Sequence, residues 1–262
     1  MLSIAIASLV LAKSGPVHFS DQVTLRFHPP VGKKYPFKMK MAMSMSFGPK
    51  APPMEVTTSM DVVMAVLAAS AGVTTMSTKI SNAHVAMPPN SPMAGMKSSM
   101  EQQMMAKSVQ MKIDTRYHIS ATSGLGADAA LTNLQTLSFP EKAIKTGDEW
   151  GSSLDISKAM AGIMSGKTPG MEMKGSIPIR FKLERIGQGP KGRAAFISLT
   201  MEGTMSMSMQ GQLIPVTMHS VGNFIVDVAT GMTMGMKVNS ESSSKIGGNS
   251  MSQKMLQTMT LQ

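Results

Sequence analysis

Cysteine is absent from the 262 residues. That excludes a disulfide framework, a thiolate metal site, a cysteine nucleophile and a lipid-bearing N-terminal cysteine. A chain this long can still build a stable core without disulfides. Aromatic side chains are scarce too, with 8 Phe, 2 Tyr and 1 Trp. With few stacking surfaces and with basic residues scattered through the chain, no nucleic-acid-binding signature is present. Acidic residues number 15 against 25 Lys and Arg, a formal net charge of +10. That balance suits anionic surroundings such as phospholipid head groups, although a solvated basic surface needs no partner at all.

What fills the space left by aromatics is methionine, 31 residues of it. A core or groove built from flexible thioethers is adaptable and weakly specified in shape. The 42% hydrophobic and 15% charged fractions describe a folded chain.

Leu2 to Ala12 is an apolar run of signal-peptide length, too short to cross a bilayer, with small residues at Val10 and Ala12 before a polar segment. No Lys or Arg precedes it, and a buried first strand is the other reading. The expectation is a signal peptide over residues 1–12, export to the periplasm or cell envelope, and one mostly-β domain over 13–262. A split near residue 140 is the alternative.

The clearest pattern is Phe37, Met39, Met41, Met43, Met45 and Phe47, alternating with Lys38, Lys40, Ala42, Ser44 and Ser46. A period of two places one apolar face against a core. Strands are expected over 22–27, 55–68, 73–85, 109–120, 171–186, 194–209, 213–228, 232–243 and 250–261, joined by short Gly-containing turns. Ser91 and Pro92 announce a helix in which Met93, Met96, Met100 and Met104 recur at helical spacing. Weaker helices are expected over 128–137 and 157–165. Sequential strands with short turns imply an antiparallel meander. The fold class is therefore mostly β: a large curved antiparallel sheet or half-barrel, with two or three short helices on its concave face.

The segment Phe139-Pro140-Glu141-Lys142-Ala143-Ile144-Lys145-Thr146-Gly147-Asp148-Glu149-Trp150 resembles a motif of bacterial exported β-sheet proteins of unknown function. Leu25-Arg26-Phe27, Pro30 to Tyr35, and Phe224 to Gly231 are similar to that family as well. The resemblance implies an envelope location and supplies no activity. Some members look like lipoproteins, and this chain departs from them in lacking the lipid-bearing cysteine. In architecture alone it is similar to half-barrel lipoprotein carriers of the LolA kind. Taken by itself, Thr146-Gly147-Asp148 reads as a turn, with Trp150 anchoring the next strand.

Catalytic motifs are missing. Gly187-Gln188-Gly189-Pro190-Lys191-Gly192 matches a dinucleotide fingerprint, but a strand follows it and it reads as a hairpin turn. Lys145-Thr146-Gly147 and Ser242 to Lys245 occur in the wrong order for a penicillin-binding site. The five histidines are dispersed, and none is paired with another at metal-ligand spacing. Three Met-x-Met runs remain: Met39 to Met45, Met205 to Met209, and Met232 to Met236. Thioethers favour Cu(I), but same-face residues of one strand stand about 7 Å apart, so a site would need neighbouring strands.

The sequence thus points to a non-catalytic extracytoplasmic protein without a cofactor or resident metal. The expected ligand is a lipid or other apolar molecule, and an anionic membrane surface is the expected partner. The candidate groove residues are Met39, Met41, Met43, Met45, Met93, Met96, Met100, Met104, Met205 and Met207. Periplasmic Cu(I) binding by clustered methionines is one alternative, and a structural module with a filled core is another.

Overall fold

The computed structural model describes residues 22–48, 52–91, 94–105, 108–123, 137–156, 171–209, 212–246 and 249–262. The expected signal peptide, the 157–165 helix, most of the 128–137 helix, and Met93 lie outside them.

The protein is mostly β, built on an antiparallel sheet that is curved but not closed. One meander leads outward from β2 (Lys34–Phe47) through β3 (Met54–Ser70), β4 (Val73–Ala86) and β5 (Ser108–Asp114) to β6 (Ile119–Ser123). The other leads inward from β8 (Glu149–Asp155) through β10 (Ser176–Gly189), β11 (Gly192–Met209) and β12 (Gln212–Asp227) to β13 (Thr233–Ile246) and β14 (Asn249–Leu261). β14 pairs with β2, which joins the two wings at the centre and leaves β6 and β8 as edges. The short β9 (Met171–Lys174) pairs with β11 beyond the end of β8. Separately, β1 (Gln22–Val23) pairs with β7 (Ile144–Lys145).

Period-two patterning explains the faces. In β2, Tyr35 and Phe37 are buried and Lys34, Lys38 and Lys40 exposed. In β10, Ile177, Ile179, Phe181 and Leu183 are buried, while Arg180 is exposed. The fingerprint-like glycines form the β10–β11 hairpin, with Gly189 opposite Gly192. Two expected strands are broken. The 109–120 strand reverses between Asp114 and Ile119, and the 171–186 strand divides at Gly175, whose φ is +140°.

The hydrogen bonds of one short segment show how far the sheet bends. Phe27 N–H donates to Thr115 O at 2.8 Å, and the next amide, His28 N–H, donates to Thr230 O at 2.9 Å. Thr115 follows β5 and Thr230 precedes β13, five strand spacings apart, or roughly 24 Å on a flat sheet. Successive residues are only about 4 Å apart, so the wings must curl round this segment.

Residues 22–30 therefore plug the concave face at one end, with Val23, Leu25 and Phe27 all buried. A second segment spans the gap between the two sheet edges. Phe139 N–H donates to Arg116 O beside β6, and Trp150 on β8 donates its indole N–H to Ser138 O. Arg26 ties the two segments together by donating to the carbonyls of Pro140 and Glu141. Tyr117 lies between Phe27 and Phe139 in edge-to-face contacts, with ring centroids at 4.7 and 5.4 Å. Trp150 stacks on Phe181 at 5.6 Å. Five of the eleven aromatics thus gather where the two extended segments meet the sheet.

The one α-helix among the described residues, α1 (Lys97–Met105), follows a 3-10 turn at Ala94–Met96 and buries none of its residues. It packs on β4. β5 accompanies β4 only as far as Lys79, and farther along Glu101 accepts the Val85 N–H at 2.8 Å. The helix satisfies part of a free strand edge, rather than burying a methionine stripe.

Candidate functional site

The concave face has two unlike halves. At the plugged end it is a packed core, in which Met64, Met232, Met236, Met259, Tyr117 and Thr233 line a residual cavity of about 20 Å³. Farther along the same strands the face becomes half-open. Met41, Met43 and Met45 of β2 are half-buried, and so are Met251, Gln253 and Met255 of β14.

Register explains how these side chains meet. Opposed residues of an antiparallel pair point to one face. Met43 opposes Met255 on β14 and Val56 on β3, while Met45 opposes Gln253 and Met54. The Gln253 amide donates to Met43 Sδ at 3.1 Å. On β13 the face continues as Ser240, Ser242 and Ser244, opposite Met255, Gln253 and Met251. Ser240 accepts a hydrogen bond of 2.9 Å from Ser220. The Ser244 hydroxyl is buried without a hydrogen-bond partner. The half-open face is therefore thioether-rich, with hydroxyls and amides set into it.

The ten candidate methionines divide accordingly. Met41, Met43 and Met45 form the half-open face, and Met39 packs against the core. Met205 is buried on β11, four strands from β2; it shares a cross-strand row with Val216, Ser244, Met251 and Phe47. Met207, half-buried, opposes Ile214. Met100 and Met104 are half-buried on α1, and Met96 is 55% exposed. Sequence reading missed Met251, Met255 and Met259. They lie in the strand expected over 250–261, but their four-residue spacing lacks the Met-x-Met alternation, although any even spacing keeps a strand's side chains on one face.

A second constellation stands at the edge of the plug. His118 Nδ1 lies 3.1 Å from Asp114 Oδ2, and His118 Nε2 lies 2.9 Å from Ser138 Oγ. Asp114 also accepts the amides of Arg116 and His118. Burial alone would raise its pKa, but those amides and the imidazole hold the carboxyl below its ordinary value. Desolvation pushes the Tyr117 hydroxyl up. The Asp–His half of this arrangement is readable as an i, i+4 pair; Ser138 arrives only through the fold.

The outer face carries an open depression of about 330 Å³ across β11–β13, where the exposed Val221 lies among Ser198, Thr200, Asn223, Lys237 and Asn239. Among the described residues no cluster of three or more His, Asp or Glu is placed to hold a metal ion. No helix among them is long and apolar enough to cross a membrane.

No protein-family model matches the sequence, and no curated protein matches it. Among solved structures, the chain is similar to one described under lipid–protein interactions in lipovitellin, with a TM-score of 0.55 and 11% identity over 89% of this chain. The chain spans 25% of the length of that protein. An outer membrane channel from Pseudomonas putida F1 aligns over 90% of this chain and 97% of its own length, at a TM-score of 0.32 and 7% identity. At such identities the lipovitellin likeness defines a class of fold, a large curved antiparallel sheet, and nothing finer.

Proposed function

We propose that this protein is a non-catalytic, exported binder of a lipid or similar amphiphile, held on the half-open concave face. The observation that carries the reading is the Met43–Met255 pair and its neighbours Met41, Met45 and Met251, which are half-buried in one register beside a solid core. Flexible thioethers suit an apolar chain of variable shape. The unpartnered Ser244 hydroxyl, opposite the flexible Met251, becomes a hydrogen-bond partner for the polar end of such a molecule once that side chain moves aside. The lipovitellin likeness is in keeping with a lipid ligand, and the Leu2–Ala12 run with export.

The non-catalytic part of the reading rests on the Asp114–His118–Ser138 chain. A serine nucleophile must reach its substrate and needs free amides for an oxyanion. Ser138 is buried, and the adjacent Phe139 amide is already bonded to Arg116 O at 2.9 Å. The three residues act as a latch between the β5–β6 turn and the segment bridging the sheet edges.

The test is native mass spectrometry of protein expressed in bacteria with its own N-terminus, followed by titration with a fluorescent fatty acid. A mass consistent with cleavage after Ala12, a co-purified lipid adduct and saturable binding are expected. Met43→Glu should abolish binding and Met43→Leu should retain it. A chain that keeps its full mass, or stays free of adduct and binds no fatty acid, would sink the corresponding part. Ester hydrolysis lost in Ser138→Ala would overturn the non-catalytic assignment.

A further inference from the structure

The small cavity in the plugged half has an unusual lining. Four thioether side chains face it: Met64 from β3, Met232 from the β12–β13 turn, Met236 from β13 and Met259 from β14. Met236 and Met259 are direct cross-strand partners, and Met232 is brought in by the turn that carries Gly231. The volume is about 20 Å³. That is room for a single water or a single monatomic ion, and far too little for a lipid chain.

The polarity of the lining decides between those occupants. A buried water needs two to four polar partners. The hydroxyls here are those of Tyr117 and Thr233, which bond to each other at 3.4 Å, and the other six lining residues are apolar, so a water would be held by the bare minimum of partners. None of the lining residues is Asp, Glu, His, Lys or Arg. A hard or divalent cation would be stripped of water with no anionic ligand in return. A soft monovalent ion is different, because thioether sulfur is among its preferred ligands and its single charge costs least to desolvate.

We propose that Met64, Met232, Met236 and Met259 form a buried site for one soft monovalent metal ion, Cu(I) or its analogue Ag(I). Met232, Met236 and Met259 are all at least nine-tenths buried, whereas Met64 is half-buried. Exchange of the ion therefore runs past Met64. The site is separate from the half-open face, so its occupancy does not depend on a lipid being bound. The thioethers come from three strands and a turn on flexible side chains, which lets their sulfurs turn toward the ion.

The test titrates the whole protein with Ag(I), and anaerobically with Cu(I) against a chromogenic Cu(I) chelator. One tightly bound equivalent of each ion and no binding of Zn(II) are expected. Met236→Leu and Met259→Leu keep the apolar volume while removing the sulfur. Each should leave thermal unfolding nearly unchanged and weaken Ag(I) binding at least tenfold; Met43→Leu should not weaken it. Should either leucine variant fail to fold, methyl-13C-methionine NMR of the unaltered protein reads the same site. Four methionine methyl signals shifting together up to one equivalent support it. No binding, undiminished binding in both leucine variants, or shifts spread over many methionines would overturn it.

Discussion

Gly231 lies against the main chain of Arg26 and Phe27, so close that a β-carbon built on it would run into the Arg26 carbonyl group. Its φ is +69°, in the left-handed region that favours glycine. The plug and the β12–β13 turn thus meet backbone to backbone, and His28 N–H bonds to the neighbouring Thr230 carbonyl at 2.9 Å. Gly231→Ala should cost about 3 kcal/mol or more, since the left-handed strain adds to a clash with main chain that cannot rotate away. Urea unfolding gives the value. A loss under about 0.5 kcal/mol would mean that the plug is not seated as described.

The energetic centre lies at the plugged end. Phe139 is fully buried in the core cluster and touches Tyr117, whereas Phe47 at the other end of β2 is 53% exposed. Phe139→Ala should destabilise by about 3–5 kcal/mol and Phe47→Ala by less than about 0.5 kcal/mol. The comparison is sharp because the residue type is the same. Equal losses would contradict a core concentrated at one end.

The strands were readable because their burial has a period of two, and β2, with Phe37 buried and Lys38 exposed, is the plainest case. The plug was half-readable. Val23, Leu25 and Phe27 alternate as a strand would, and all three are buried, yet only Gln22–Val23 joins a ladder. Beyond Val23 the segment's amides bond to turn carbonyls of Thr115 and Thr230, partners that only the curled sheet brings near. The methionine helix was read only in part, for a related reason: Met100 and Met104 are half-buried, but Met96 is exposed. Its spacing suggested an inward face, whereas the need it meets is an unpaired edge at Val85, which is not written in the helix itself. The candidate site was legible on β2. Its other half, on β14, required the register between the first and last long strands.

The latch makes a pH prediction. Asp114 has its carboxyl held below the ordinary aspartate value of 3.8 by its bonds to His118 and Arg116. A depressed carboxylate contributes stability that is present above the unfolded value and lost as pH falls through the lower folded value. Thermal midpoints of the parent protein and Asp114→Asn should therefore differ at neutral pH and converge on acidification below about 3.8. Ser138→Ala, which removes the partner of His118 Nε2, should cost about 1 kcal/mol at neutral pH. Parallel curves for parent and Asp114→Asn down to the acid limit would exclude the assigned role for the carboxylate.

Ser244 separates stability from binding. The residue is 6% exposed and its hydroxyl is unpartnered, in the row that also holds Val216 and Met251. An orphaned buried hydroxyl costs about 1–3 kcal/mol relative to a satisfied one, so removing it relieves the folded protein of that penalty. Ser244→Ala should leave the urea midpoint unchanged or raise it. If the hydroxyl meets the polar end of a bound amphiphile, the same change should weaken fatty-acid binding several-fold. A residue retained only for packing would move neither quantity much, and a residue satisfied by some other group would lose stability on truncation. Raised or unchanged stability together with weakened binding is the pattern expected when a fold holds a polar group open for its ligand.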